Sequence, residues 1–309
     1  MIGAQAIVQV ASTLPPEAHA ASPMVSGCTF IRNGSQLGFP FIESIRSLLP
    51  LVDEFVIAVG QGQDDTRERI VAIGSPKIRI IDTVWNERMQ ERGFVYAQQK
   101  MIAQYACTGD WAFYLEGDEV LHEQDIPRIR EAIERHHGNP KVEALVFDYL
   151  HFYGSPQWLA VSPAWYRREC RLIRNTIRSY APDGQFWVVM DRHKRGRTVH
   201  AALAGAPIYH YGHVRSSDAM QRKMDQVSRY WSHGAPQVDY RRIDPQSLAP
   251  FNGTHPALMH DWLAREAEAS FTPDPAHVPT RRERKHRWAM RIERWLGLDL
   301  SHKHYELVA

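Results

Sequence analysis

Apolar and polar positions alternate in blocks along the first half of the chain. MVSGCTFIRNG (residues 24–34) is a short apolar run closed by Gly34 and predicts a strand. In FIESIRSLLPLV (41–52), Ile42, Ile45, Leu48, Leu49 and Val52 recur near helical spacing, and Pro50 ends or kinks that helix. EFVIAV (54–59) predicts a second buried strand with the polar loop GQGQDDT at its carboxyl end. Residues 66–74 read as a helix closed by Gly74, and 77–82 alternate as a third strand does. Residues 95–106 predict a helix with Ala97, Met101, Ile102 and Tyr105 on one face. A fourth strand (110–115), a helix with Ile126, Ile129 and Ile133 inward (126–137) and a fifth strand (142–152) follow. Strand–helix alternation of this kind predicts an α/β, Rossmann-like, mainly parallel sheet flanked by helices.

After residue 152 the pattern loosens. Residues 168–175 read as a strand, 179–187 as a turn and strand, and 207–215 as a short strand ending in a His-rich loop. Met220, Met224, Val227 and Trp231 share helical spacing within 218–231 and predict a packing stripe. Residues 233–279 are rich in Pro and His and read as loop with short helices. The expected organisation is a loose leader (1–23), an α/β domain (24–215) and a helical and loop extension (216–309) with a basic tail. With 44% apolar residues, 309 residues are ample for one large domain plus an extension.

A net charge of +2 does not make a polycation, so partners are argued from local charge. Three widely spaced cysteines, Cys28, Cys107 and Cys170, lack metal-binding spacing and read as buried thiols of a reducing compartment. No basic residue precedes the N-terminal apolar stretch, which argues against a secretory signal. No run approaches the roughly 18 apolar residues of a membrane span. The expectation is a soluble cytoplasmic protein, with peripheral contact at the inner membrane face through residues 281–298 as one option.

Parallel α/β sheets bind ligands at the carboxyl ends of their strands. Asn33, Asp64, Asp65, Asp118 and Glu119 all lie at or just past predicted strand ends. In WAFYLEGDEV (111–120), Glu116, Asp118 and Glu119 fall within four positions, directly after a buried strand. Isolated carboxylates are costly to bury. An acid cluster on a rigid strand suits Mg²⁺ or Mn²⁺, which take oxygen ligands and share them with a substrate's phosphates. Attraction to a helix N-terminus is the rival account. It explains Glu123 and Asp125, but Asp118 lies a full turn too early.

FYLEGDEV resembles the strand and acidic motif of family-2-type glycosyltransferases of the GT-A fold. VSGCTFIRNG is similar to that family's first strand, with Arg32 and Asn33 at its Lys/Arg-Asn pair, and GQDDT resembles its Asp-containing loop, with Asp64 and Thr66 in place. CRLIRN resembles an Arg-Leu-Phe-Arg segment, and IYHYGHVRS a late His-Tyr motif. The ordered set covers roughly residues 24–215. Glu116 stands where the first Asp of the acidic motif is usual, Val59 or Gly60 where an Asp often contacts uracil, and Lys100 where the preceding helix often has Asn. A lysine there meets a diphosphate oxygen or is a solvated surface residue.

The resemblance implies inverting transfer of a sugar from a nucleotide-sugar donor to an acceptor hydroxyl, with a divalent ion at Asp118. His210 is the candidate second ligand, against a packing role in HYGH. Arg32, Asn33, Asp64, Asp65, Lys100, Glu116 and Arg215 are the expected donor-binding groups. Inversion needs a general base near the acceptor oxygen. Asp183, Glu169 and Asp148 are the carboxylates to weigh, and Asp183 is preferred, although Asp183-Gly184 is equally a turn signal. Aromatics in 152–166 suit a saccharide or glycolipid acceptor, as in envelope polysaccharide synthesis, or fill a core. In 281–294 seven Arg/Lys face two Glu, and Trp288, Ile292, Trp295 and Leu296 share one stripe; such a helix lies on an anionic membrane or docks with a solvated basic face. A nucleotidyltransferase is ranked lower because no Gly-rich basic loop follows the first strand. A non-catalytic GT-A-like domain binding a membrane surface or carbohydrate is the other alternative. Nucleic-acid binding is not expected at this net charge.

Overall fold

The computed structural model describes residues 22–231, 237–267 and 271–308. The expected leader over 1–23 lies outside them but for Ser22 and Pro23. The first half follows the alternating pattern: β1 (Val25–Ile31), α1 (Phe41–Leu48), β2 (Glu54–Gly60), α2 (Thr66–Val71), β3 (Ile78–Thr83), α3 (Phe94–Tyr105) and β4 (Trp111–Tyr114). β3, β2, β1 and β4 pair in parallel in that order. Val56, Ile57 and Ala58 of β2 are wholly buried because helices cover both faces of the sheet. α1 closes two residues before Pro50, whose ring would clash with a continuing turn.

The α3 face differs from expectation. Its buried positions are Val95, Ala97, Gln99, Lys100, Ala103 and Gln104, whereas Tyr105 is exposed. Three of these are polar, and apolar spacing cannot mark them. Gln104 Nε2 donates to Ser179 Oγ at 3.1 Å, and the Trp187 indole N–H donates to Gln104 Oε1 at 2.7 Å, so partners replace water.

Beyond β4 the sheet becomes mixed. β5 (Glu119–Val120) and α4 (Ile126–His137) precede β6 (Ala144–Tyr153), β7 (Ser155–Ala160) and β8 (Arg168–Arg174). β8 inserts antiparallel between β4 and β6, and β7 pairs antiparallel with the end of β6. Three short antiparallel strands, β9 (Ser179–Tyr180), β10 (Val188–Met190) and β11 (Gly196–Arg197), form a separate small sheet. The expected short strand at 207–215 is the end of the much longer β12 (Val199–His213). Its first half, VHAALAGA, is small rather than β-branched and gives little strand signal. Ala202, Ala204 and Ala206 are buried there in one cluster with Ile129 and Ile133 of α4. β12 runs parallel to β6 and antiparallel to β5, which sets His210 opposite both His151 and Glu119.

The last third holds α5 (Ser217–Trp231), β13 (Leu248–Pro250), α6 (His260–Glu266), α7 (Arg281–Leu296) and β14 (Tyr305–Leu307). β13 joins β7 and β14 joins β12, so the extension completes the sheet as well as covering it. No helix among the described residues is long and apolar enough to cross a membrane. All three cysteines are buried and unpaired.

Candidate active site

The carboxyl ends of β1 and β4, the end of β12 and the flank of α5 enclose a cleft of about 340 Å³. It lies where a parallel sheet presents its strand ends, the usual place for a ligand in such folds. Glu116, Gly117 and Asp118 enter it directly from β4. A side chain at Gly117 would come within 2.6 Å of Ile31 Cδ1 and would push that side chain of β1 aside.

Asp118 is almost fully buried. Its Oδ2 accepts from Lys223 Nζ at 2.8 Å and from the Arg215 guanidinium at 3.2 Å. Its Oδ1 takes no hydrogen bond from the described residues and lies 3.8 Å from His210 Nε2. Burial alone would raise the Asp118 pKa, but the charges of Lys223 and Arg215 hold it well below the usual carboxylate range.

The tautomer of His210 follows from its partners. His151 Nε2 lies 2.7 Å from the Tyr166 carbonyl oxygen, which can only accept, so His151 carries its proton on Nε2. Burial pushes the pKa of His151 down to about 3 and that of His210 to about 4, so both rings are neutral near pH 7. His151 Nδ1 is then an acceptor, and His210 Nδ1, 2.8 Å away, donates to it. The bonding network therefore leaves a bare lone pair on His210 Nε2, facing Asp118 Oδ1. Two acceptors, Asp118 Oδ1 and His210 Nε2, thus face each other across 3.8 Å.

Beside this pair lies a denser ionic cluster. Arg171, fully buried on β8, meets Glu119 with Nη2 at 2.7 Å and Nε at 2.9 Å, and reaches Glu116 at 3.0 Å. Glu119 also accepts from the Tyr149 hydroxyl at 2.7 Å and the Glu116 amide at 3.0 Å. Desolvation, with Glu119 alongside, pushes the Glu116 pKa up to about 8. Lys100 is wholly buried, its ammonium about 4 Å from the ring centres of Tyr114 and Trp187. Burial and the nearby Arg171 push its pKa down to about 7. Lys100 and Arg171 both donate to the Gln185 carbonyl at 3.1 Å, which pins the turn carrying Asp183 over the cleft. Gly184 in that turn has φ +89°, and a Cβ there would meet Tyr96 Cβ at 2.9 Å. Arg171, Arg215 and Lys223 thus face three carboxylates, Glu116, Asp118 and Glu119, in one buried ionic network.

Of the residues singled out in the sequence, Arg32, Glu116, Asp118, Asp183 and His210 line the cleft. Arg215 lies behind Asp118 and also donates to the Leu37 carbonyl at 2.8 Å. Lys100 is no surface lysine and no part of the cleft wall; it acts from beneath through Gln185. Five other candidates lie outside the cleft wall. Asn33, at φ 53°, accepts from the Gln63 amide at 2.8 Å and shapes the loop after β1. Asp64 accepts from the Gln36 amide at 2.8 Å and the Thr66 amide at 3.2 Å, while Asp65 is exposed at the start of α2. Glu169 is buried on β8 against His304 Nδ1 at 2.6 Å, outside the cleft wall. Asp148, the other carboxylate weighed as a base, pairs with Arg168 at 2.6 Å.

Lys223, Arg171 and His151 were missed. The α5 stripe signals packing, and Lys223 falls off that stripe, as a lysine solvated on the helix surface would. Instead α5 turns Lys223, Gln226, Val227 and Trp231 onto the cleft. Arg171 sits within CRLIRN, and nothing in that segment marks it as buried. Among the described residues no three of His, Cys, Asp and Glu converge on one point to hold a metal unaided.

No protein-family model matches the chain, and no curated protein matches it. Solved structures do. Glucosyl-3-phosphoglycerate synthase from Mycobacterium tuberculosis, in complex with Mn²⁺, UDP and phosphoglyceric acid, matches with 20% identity and a TM-score of 0.30. The match covers 42% of this chain and 44% of that one. TarS residues 1–349 from S. aureus, in complex with UDP, matches with 12% identity and a TM-score of 0.32, over 49% of this chain and 47% of that one. The chain thus spans under half the length of these matched structures.

Proposed function

We propose that this chain is a GT-A-like glycosyltransferase that moves a sugar from a nucleotide-sugar to an acceptor hydroxyl with the help of Mn²⁺ or Mg²⁺. The observation that carries the reading is the pair of facing acceptors, Asp118 Oδ1 just past β4 and His210 Nε2 on β12, in the wall of the cleft. A carboxylate oxygen and a neutral imidazole nitrogen are suitable donors for these ions, which commonly complete their shell with water and substrate phosphate. Asp118 and His210 would hold the ion, and when bound it supplies positive charge to the leaving diphosphate.

The chain's own groups account for the rest. Lys223 and Arg32 bring further cations to the cleft wall. Asp183 is the carboxylate in that wall without a basic side-chain partner among the described residues; its Oδ1 accepts only the Gln185 amide, at 3.0 Å. In the transfer, the acceptor oxygen forms a bond to the anomeric carbon as that carbon's bond to the diphosphate oxygen breaks. The acceptor proton passes to Asp183, the nucleoside diphosphate leaves with the bonding electrons, and the anomeric centre inverts. Trp165 and Tyr166 in the wall offer ring faces to a sugar. The acceptor class that fits is a saccharide or glycolipid hydroxyl.

A thermal-shift screen of UDP-, GDP-, CMP- and dTDP-sugars, with and without Mn²⁺, tests this. The expected result is a rise in Tm that needs both the ion and one nucleotide class and is lost in Asp118→Ala. No rise with any nucleotide-sugar would contradict it.

A further inference from the structure

α7 is docked the wrong way round for an ordinary amphipathic helix. Its apolar stripe, Trp288, Ile292, Trp295 and Leu296, faces solvent, with Trp288 64% and Trp295 84% exposed. Its polar groups make the contacts inward. Glu283 caps the helix against Thr280 and meets His277 at 3.1 Å. Arg287 forks onto the buried Asp244 at 2.6 and 2.7 Å. Glu293 receives both arms of Arg167 at 2.8 and 2.7 Å and the Leu300 amide at 2.8 Å.

Both carboxylates of α7 are therefore spent on docking. The outward side keeps Arg281, Arg282, Arg284, Lys285, Arg291 and Arg294, all exposed, and no acid. Leu298 and Leu300 continue the apolar surface past the helix end. A soluble protein rarely leaves two tryptophans and four aliphatic side chains together in water.

We infer that this face of α7 seats the protein on a lipid bilayer bearing anionic headgroups. Charge complementarity selects that occupant: cations reach phosphates while the tryptophans and leucines enter the boundary with the acyl chains. A second copy of the chain is disfavoured, because an isologous contact would oppose six cations with no carboxylate between them. RNA would engage the arginines but leave Ile292, Leu296, Leu298 and Leu300 without a partner. The surface stands on α7 alone and does not rest on the proposed transfer reaction.

The test is co-sedimentation of the full chain with vesicles of phosphatidylcholine, with and without phosphatidylglycerol. The expected result is partition onto phosphatidylglycerol vesicles that weakens with added salt. It should drop about a hundredfold in Trp288→Ser/Trp295→Ser, since each buried indole is worth roughly a tenfold factor. Unchanged Tm in that variant shows that the fold is kept. No partition onto anionic vesicles, or partition equal in the double variant, would overturn the inference. So would a dimer in light scattering that the double variant dissolves, or retention on single-stranded RNA without vesicle binding.

Discussion

At the scale of single residues, the proposed ion site at Asp118 turns on two imidazoles. His151 is fixed by the Tyr166 carbonyl and in turn fixes the proton of His210 on Nδ1. His151→Phe keeps an aromatic ring and removes the acceptor, freeing His210 to take the other tautomer. Mn²⁺ affinity should fall about 10–100-fold, as for other groups that orient a metal-binding histidine, and the Tyr166 carbonyl left without its donor should cost about 1–3 kcal/mol of stability. Titration calorimetry with the ion alone reads this directly; unaltered affinity would mean that His210 is not a ligand. Arg171 makes a different prediction. Arg171→Met leaves the buried Glu119 without its cation, which should cost about 3–5 kcal/mol in urea unfolding. The two histidines also set an acid limit. Their pKa values in the fold, about 4 and about 3, lie below the 6.5 of a free imidazole. The unfolded chain thus binds protons that the native state refuses as pH falls below 6.5. Their contribution to stability should decline from about pH 6.5 down to about pH 3, and chemical denaturation at stepped pH checks it.

At the scale of elements, α5 is the piece that sequence periodicity placed but did not interpret. Met220 is buried as its spacing predicts, yet Val227 and Trp231 of the same stripe wall the cleft, and Lys223 beside them reaches Asp118. Lys223→Gln separates two roles of that ammonium. Without it Asp118 is freer for a cation, so Mn²⁺ binding to the ligand-free protein should tighten. Nucleoside diphosphate binding should weaken, by about tenfold, the scale of one charge-assisted hydrogen bond. Loss of both affinities would instead make Lys223 merely structural. The parallel half of the sheet, β1 to β4 with α1 to α3, was legible because branched apolar runs alternate there with helical spacing. β12 was half legible, since alanines carry no strand signature, and the insertion of β8 between β4 and β6 is a tertiary fact that no local pattern encodes.

At the scale of the whole molecule, the cleft gathers Arg32, Glu116, Asp118, Asp183 and His210 from widely separated segments; strand-end position marked Asp118, the family resemblance Arg32, Glu116 and His210, and the search for a base Asp183. Asn33, Asp64 and Asp65 were equally near strand ends but spend their side chains on the loop backbone or face solvent, a choice fixed by turn geometry rather than by residue type. The buried cations were illegible for the opposite reason. Lys100 and Arg171 are residue types that composition places on the surface, and only the assembled fold shows the carboxylates and carbonyls that hold them inside. The central claim is that Asp118 and His210 hold a divalent ion against a diphosphate. Titration calorimetry of UDP, GDP, CDP and dTDP into the protein, with and without Mn²⁺, tests it most directly. The account predicts that one of the four binds at least about tenfold more tightly with the ion, and that His210→Ala with Mn²⁺ behaves like the metal-free wild type. Equal affinity with and without Mn²⁺, or an unaltered His210→Ala, would contradict it.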